Sequence, residues 1–337
     1  MQFQLPIQIK LPDKQINYRD KILLTGSCFT EHIGNSLSEL KFSTLQNPNG
    51  ILFDPRSVCN SLISYIENKK YSKKDLFYLN EIWNSWEHHS RFSNINAGEC
   101  LQSINDSQEQ AHIFLKNTDW LIITLGSSFS YRLTSEFSKV SPKEGNLEGA
   151  GVANCHRAPS QWFIKHLLSI DEIILLLDTV YHRLQQFNPR IKIIFTISPV
   201  RHIRDGVIEN NRSKARLLEA VHHLVNKFQG LYYFPAYELV IDVLRDYRFY
   251  DIDMVHPNYP ATEFVMEKFR ESFIDEQSQQ LMEEIKKIVI ARKHKAFQPE
   301  TNAHKGFLKI HLDKAKELQS KFPFLDISDE IDYFGAS

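Results

Sequence analysis

Two short stretches of this 337-residue chain carry side chains that could do covalent chemistry together. The first is Gly26-Ser27-Cys28 and the second is Asp253-Met254-Val255-His256-Pro257. A serine becomes a nucleophile when an imidazole takes its proton and an acid holds that imidazole. Asp253 and His256 are three residues apart just before a proline, so one turn can bring carboxylate and ring together and leave the second ring nitrogen free. Each element also has a plainer reading. Ser27 is placed to cap a helix through its hydroxyl, and a loop histidine beside an acid is commonly structural. Cys28 is a rival nucleophile, since a helix start lowers a thiol pKa. The order of the elements joins the two stretches: the serine follows the first strand and the acid–imidazole pair follows the last.

Those positions depend on flanking elements. Lys21 to Thr25 is a nearly continuous apolar run that stops at Gly26, the pattern of a strand buried on both faces. Phe29, Ile33, Leu37 and Leu40 then recur at helical spacing. Ser27 therefore sits at the carboxyl end of a buried strand and the start of a helix, where free amides favour negative charge. Strands are also predicted at Phe42–Gln46, Trp120–Gly126, Ile191–Ile197 and Leu231–Phe234. Helices are predicted through most of 56–118, at Ser160–Phe187, Glu209–Phe228 and Tyr237–Asp246, and from Tyr259 onward. Asp54-Pro55 is a helix-start pair. Residues 1–20 read as a polar lead with a short edge strand, and 129–153 as hairpin-like. Alternating strands and helices of these lengths predict parallel βαβ units in a doubly wound α/β sheet. The charged stretches 276–296 and 303–321 read as solvated helices added to that body, which cover a surface or support a homodimer.

Further candidates cluster where strands stop. Gly50, in Asn47-Pro48-Asn49-Gly50, is either a turn glycine or a backbone amide offered to an oxyanion. Gly126-Ser127-Ser128 ends the second strand. Asn154-Cys155-His156-Arg157 is a polar cluster whose plain reading is a hydrogen-bonded turn. Arg201 and His202 end the third strand, and with Arg157 they could bind a polar or anionic part of a substrate. His88 and His89 are adjacent, whereas metal-binding pairs on helices favour i, i+4 spacing.

The whole-chain balance argues against other classes. The formal net charge is −1, which gives no electrostatic footprint for nucleic acid. No apolar run reaches membrane-span length. The four cysteines are scattered and form no CxxC pair, against a zinc site or disulfide framework. No cofactor fingerprint is present. The first residues lack a signal peptide's charged and apolar regions, so the chain reads as cytoplasmic if it is the full gene product.

Gly26-Ser27-Cys28-Phe29-Thr30 resembles the signature of the GSCFA family, with Thr30 where the name has Ala. The resemblance extends over Asn47–Pro55, Thr124-Leu125-Gly126, Asn154-Cys155-His156, Ser198–His202 and Asp253–Pro257. It implies a bacterial hydrolase of the SGNH (GDSL-like) superfamily, with a three-layer α/β/α, flavodoxin-like parallel sheet. Residues 1–275 would form the hydrolase domain, with a helical insertion at about 55–118, and 276–337 a C-terminal helical extension. Ser27, Asp253 and His256 match the catalytic triad, and the amides of Ser27 and Gly50 match two oxyanion donors. The third donor in such enzymes is the Asn of a GxND block. Gly126-Ser127-Ser128-Phe129 stands there without an Asn, which leaves Ser128 or Asn154 as replacements. Gly126, His156, Arg157, Arg201 and His202 would line the substrate site.

The reading that follows is a serine hydrolase acting on an acyl or O-acetyl ester, with a carbohydrate ester as one substrate class and neither cofactor nor metal. An O-acyltransferase would use the same triad. A non-catalytic binding module would keep the sheet and cleft and draws its support from the missing Asn.

Overall fold

The computed structural model describes residues 5–140, 147–295 and 297–336. In chain order the elements begin with β1 (Lys21–Gly26), α1 (Cys28–Glu39), β2 (Ser43–Gln46) and α2 (Pro55–Glu67). A hairpin, β3 (Phe77–Leu79) and β4 (Ile82–Asn84), leads to α3 (Ala97–Lys116) and β5 (Trp120–Leu125). Next come β6 (Phe129–Leu133), α4 (Ser135–Val140), β7 (Gly151–Val152), β8 (Phe163–Leu167) and α5 (Ile170–Phe187). Then β9 (Lys192–Ile197), α6 (Val207–Lys227) and β10 (Leu231–Phe234) are followed by α7 (Ala236–Glu238), which continues as a π-helical stretch, Leu239–Leu244. The chain closes with α8 (Tyr259–Phe273), α9 (Glu276–Lys293), α10 (Asn302–Lys321) and α11 (Ser328–Gly335).

The central sheet has the order β2-β1-β5-β9-β10, and every pairing is parallel. Counted within this sheet the order is 2-1-3-4-5, the flavodoxin-like arrangement. The winding direction reverses between β1 and β5, so their carboxyl ends leave a crevice between them. Ser27 and Gly126 lie at those two ends.

Strand periodicity divides the core. Ile22, Leu24, Trp120, Ile122, Ile194 and Phe234 face one side, against Phe29, Ile33 and Leu37 of α1 and Val265 and Phe269 of α8. Leu23, Leu121, Ile123, Ile193 and Phe195 face the other, against Val58 and Leu62 of α2, Leu177 of α5 and Leu217 and Val221 of α6. The result is the expected three-layer α/β/α sandwich.

Some local expectations are corrected. The stretch 56–118 is helical only at its ends. Its centre turns through β3 and β4, which are joined by Asn80-Glu81, both at positive φ. Two left-handed residues between aromatic strands make a tight hairpin turn. α2 lies directly on the sheet rather than outside it. The predicted helix from Ser160 starts only at Ile170. Ser169 and Glu172 form a capping box there, and the preceding residues form β8. The hairpin expected over 129–153 appears as β6 paired with β7, though 141–146 lie outside the described residues, as do 1–4 of the polar lead. The C-terminal helices are not wholly solvated. Leu281, Met282, Ile285 and Ile288 of α9 and Leu318 of α10 join the same core as α1 and α8. Among the described residues no helix is long and apolar enough to cross a membrane.

Two sequence signals set the geometry near the crevice. Asp54 caps α2, its carboxylate accepting from the Ser57 amide at 3.1 Å, with Pro55 at the first helical position. Gly26 has φ +142, and a Cβ there would fall 2.1 Å from the Thr124 carbonyl oxygen. Gly26→Ala therefore must push β1 from β5 and should destabilise the fold by at least ~2 kcal/mol. Denaturant unfolding of the variant reads this out, and an unchanged midpoint would refute it.

Candidate active site

β1 delivers Ser27 to the crevice. Its backbone is extended at the N-cap of α1, and its carbonyl accepts from the Thr30 amide at 2.9 Å. The side chain does not cap, although an N-cap serine ordinarily satisfies a free amide in this way. Ser27 is 2% exposed, and its Oγ is buried without a hydrogen-bond partner. Gly26 N–H donates to Asn47 Oδ1 at 2.9 Å, so the end of β2 braces the turn.

The loop after α7 builds the acid–imidazole pair. Asp253 Oδ1 accepts the amides of Val255 and His256 at 2.9 and 3.0 Å, and Oδ2 meets His256 Nδ1 at 2.6 Å. The His256 ring bond, and then those amides, hold the Asp253 carboxyl down at about 2. The carboxylate is thus ionised at neutral pH, so in the neutral ring Nδ1 is the donor to Asp253 and Nε2 is left as the acceptor. Met254 takes a left-handed φ of 57° to close the turn.

Arg201 holds this loop. Its amide donates to the Val255 carbonyl at 3.1 Å and its Nη1 to the Met254 carbonyl at 3.2 Å. The guanidinium lies 4.0 Å from the Tyr250 ring centroid, a cation–π contact. This arginine, named above as a substrate contact, fixes the segment that carries Asp253 and His256.

His202 and Gly126 come together with Ser27. A Cβ on Gly126 would lie 3.0 Å from His202 Nε2, 3.3 Å from Ser27 Cβ and 2.9 Å from Phe53 Cβ. The absent side chain is what lets these three groups converge. His202 is neutral: burial, then Lys214 and His256, push its pKa down to about 4. His256 is therefore near enough to His202 to bear on its charge, although the Ser27 hydroxyl makes no hydrogen bond to His256.

The model of the GSCFA family matches residues 21–269, and that of the GSCFA C-terminal domain matches residues 285–337. The chain belongs to the GSCFA family. No curated protein matches it. Among solved structures it is similar to a carbohydrate esterase family 3 protein from Talaromyces cellulolyticus (12% identity, TM-score 0.32), covering 80% of this chain and 99% of that one. An acetyl esterase mutant with acetate ion gives 11% identity and a TM-score of 0.35, over 79% of this chain and 99% of that one. The acetyl xylan esterase Est2A from Butyrivibrio proteoclasticus gives 10% identity and a TM-score of 0.35, over 75% of this chain and 64% of that one.

Several residues of this GSCFA protein predicted for the oxyanion or the substrate have other partners. Ser27 N–H donates to the Thr124 carbonyl at 3.0 Å and Gly50 N–H to the Asn47 carbonyl at 2.7 Å. Gly50 is also sealed under His89, whose Cβ would meet a glycine Cβ at 2.2 Å. Ser128 is bound to α6: its amide donates to Ser213 Oγ at 2.7 Å and its hydroxyl to the Ser213 carbonyl at 3.1 Å. Asn154 Oδ1 accepts the His156 amide at 2.8 Å, the hydrogen-bonded turn of the plain reading. His156 donates from Nε2 to the Ser85 carbonyl at 2.8 Å and sets its ring edgewise on Phe77 and Trp86. Arg157 is exposed. His88 and His89 lie in a turn, and His88 is buried against Tyr71 and Phe92. Among the described residues no group of three or more His, Cys, Asp or Glu could hold a metal ion.

Sequence reasoning missed the polar stripe on α6. Asn210 Oδ1 accepts the His202 amide at 2.9 Å, Ser213 holds Ser128, and Lys214 Nζ donates to the carbonyls of Gly126 and Ser198, both at 2.6 Å. The signal was the spacing. Leu217, Ala220, Val221 and Leu224 form the buried face, and extending it backward by helical steps reaches Lys214, Ser213 and Asn210.

Burial pulls the Lys214 pKa down from 10.5 to about 7. Above pH 7 the unfolded chain then binds this proton more tightly than the fold does, so the contribution of Lys214 to stability rises with pH. From pH 7 to 8.5 the stability of wild type relative to Lys214→Met should climb by up to ~1 kcal/mol per pH unit. Urea unfolding across that range checks it, and a flat difference would mean that the folded lysine keeps its proton.

Proposed function

We propose that this GSCFA protein hydrolyses acyl or O-acetyl esters, carbohydrate esters among them, through Ser27, His256 and Asp253. The observation that carries the reading is the Ser27 hydroxyl: enclosed, unpartnered and uncapped at a strand–helix turn where a structural serine would be satisfied. The Asp253–His256 pair supplies the rest of the chemistry, with the imidazole fixed in one tautomer by an ionised carboxylate.

In this mechanism substrate binding brings His256 Nε2 into reach of Ser27 Oγ, since such bonds commonly tighten only in the complex. As Oγ attacks the ester carbonyl, His256 takes the hydroxyl proton. The tetrahedral intermediate expels the alcohol, which leaves with that proton, and Ser27 is acylated. Water then gives a proton to His256 as it attacks the acyl carbonyl, and His256 returns that proton to Ser27 Oγ as the acyl–oxygen bond breaks and the acid leaves. Asp253 stays ionised throughout and steadies the imidazolium. Arg201 contributes by holding the loop rather than by touching substrate.

Hydrolysis of p-nitrophenyl acetate tests the assignment. Ser27→Ala should reduce kcat by at least about 10⁴-fold, and Asp253→Asn by about 10²- to 10⁴-fold with the fold intact. Full activity in Ser27→Ala would remove the serine from the mechanism.

A further inference from the structure

The hydrolase reading needs donors for the oxyanion, and the amides at the crevice are already engaged. Ser27 N–H and Gly50 N–H serve Thr124 and Asn47, while the amides of Gly126 and Ser127 both serve the Phe53 carbonyl. The Ser128 amide serves Ser213. The amides of Cys28 and Phe29 lie against the Cys28 thiol. The missing donor is therefore a side chain at the crevice wall with an unsatisfied polar atom.

Four such groups lie near the ends of β1, β2 and β5: Asn47 Nδ2, Thr30 Oγ1, Thr124 Oγ1 and His202 Nε2. Asn47, Thr30 and Thr124 are each 0% exposed, sealed in the protein. His202 is only partly buried. Its Nε2 is enclosed and unpartnered, while Nδ1, which has no partner among the described residues, reaches solvent. Water can satisfy Nδ1 as an acceptor, and Nε2 then carries the ring proton toward the crevice. Asn210 fixes the backbone at His202 through the 2.9 Å bond to its amide, and Phe53 flanks the ring at 5.1 Å between centroids.

We propose that His202 is the oxyanion donor that stands in for the absent Asn, with its Nε2–H directed to the carbonyl oxygen of an ester attacked by Ser27; this rests on the hydrolase reading. The geometry places Nε2 at 3.0 Å and Ser27 Cβ at 3.3 Å from the point where a Gly126 Cβ would sit. A base in this position would have to accept charge beside the buried Lys214 ammonium, and no carboxylate among the described residues is hydrogen-bonded to the ring. A neutral donor meets neither obstacle. No covalent step passes through His202. It donates one hydrogen bond, which strengthens as the carbonyl oxygen becomes an oxyanion.

The test compares His202→Leu and His202→Gln with wild type, using p-nitrophenyl acetate and the rate at which a fluorophosphonate labels Ser27. The glutamine amide can donate a hydrogen bond but cannot act as a base at neutral pH. His202→Leu should lose about 10²- to 10³-fold in kcat with KM little changed. His202→Gln should recover at least about 10-fold of that loss, and both variants should melt near wild type because Nε2 has no bond to break. Wild-type rates in both variants would overturn the proposal, as would a glutamine variant no better than leucine, the result expected if His202 were a base. Should either variant melt early, the comparison of labelling rates at a temperature where both are folded decides in the same terms. A wild type that neither hydrolyses the ester nor labels would instead overturn the hydrolase reading itself, and this assignment with it.

Discussion

The crevice depends on a buried ammonium. Lys214 is 1% exposed, and its two 2.6 Å bonds join the Gly126 carbonyl after β5 to the Ser198 carbonyl after β9. Both carbonyls have passed the last ladder bonds of their strands, so without a donor they would be buried and unpaired. The lysine satisfies both at once and fixes the separation of the two strand ends. An isolated buried charge is expensive, and here the protein relieves it in two ways: with strong acceptors and with a pKa lowered to about 7. A neutral amine still has two N–H groups for the same two carbonyls. Asn210, one turn before Lys214 on α6, and Ser213, next to it, extend the arrangement to His202 and Ser128. One helix face thus holds two strand-end segments, 126–128 and 198–202.

The acid–imidazole loop is fixed from a different direction. Its anchors are Arg201, at the end of β9, and a short antiparallel bridge between Tyr250 and Pro257. The Asp253–His256 pair is half exposed, and its bond alone would contribute little to stability because solvent screens it. What it gains from the fold is orientation. Two backbone amides and the ring share one carboxylate, so the ring can turn only by giving up the shortest of those bonds. The structure joins acid to imidazole, and the serine to His202. The two halves meet through the proximity of His202 and His256.

The parallel sheet was legible because its strands are buried on both faces and so read as continuous apolar runs that stop at Gly26 and Gly126. The placement of Ser27 at a strand end and the pairing of Asp253 with His256 were legible because both stretches follow strands and the acid and imidazole are three residues apart. The β3–β4 hairpin was not, since its turn is Asn80-Glu81 rather than a glycine pair and aromatic residues are compatible with either state. Strand β8 was hidden because its residues run into α5 without a proline or glycine between them. The bracing partners of Arg201, His156 and Ser128 were not legible for a common reason: a polar residue at a strand end or in a loop looks the same in sequence whether it faces substrate or braces a neighbouring segment. Lys214 could have been found, because a lysine in phase with Leu217, Val221 and Leu224 must either be buried or break the face.

The same crevice distinguishes serine from its neighbour. A thiol at a helix start is ordinarily a strong candidate nucleophile because the amides stabilise its thiolate. Cys28 receives that help from its own amide and from Phe29, and Lys214 adds to it, yet burial outweighs them and its pKa is raised. Its side chain packs against the core that α1 shares with α8 and α9. Ser27 has the opposite circumstances, with a hydroxyl that turns away from capping and finds no partner. A serine gains nothing from a lowered pKa unless a base is at hand, so the proposed use of Ser27 requires the imidazole that Asp253 orients. The helix start that would activate a cysteine instead sets the thiol against the core, while the neighbouring serine hydroxyl stays unpartnered beside Gly126.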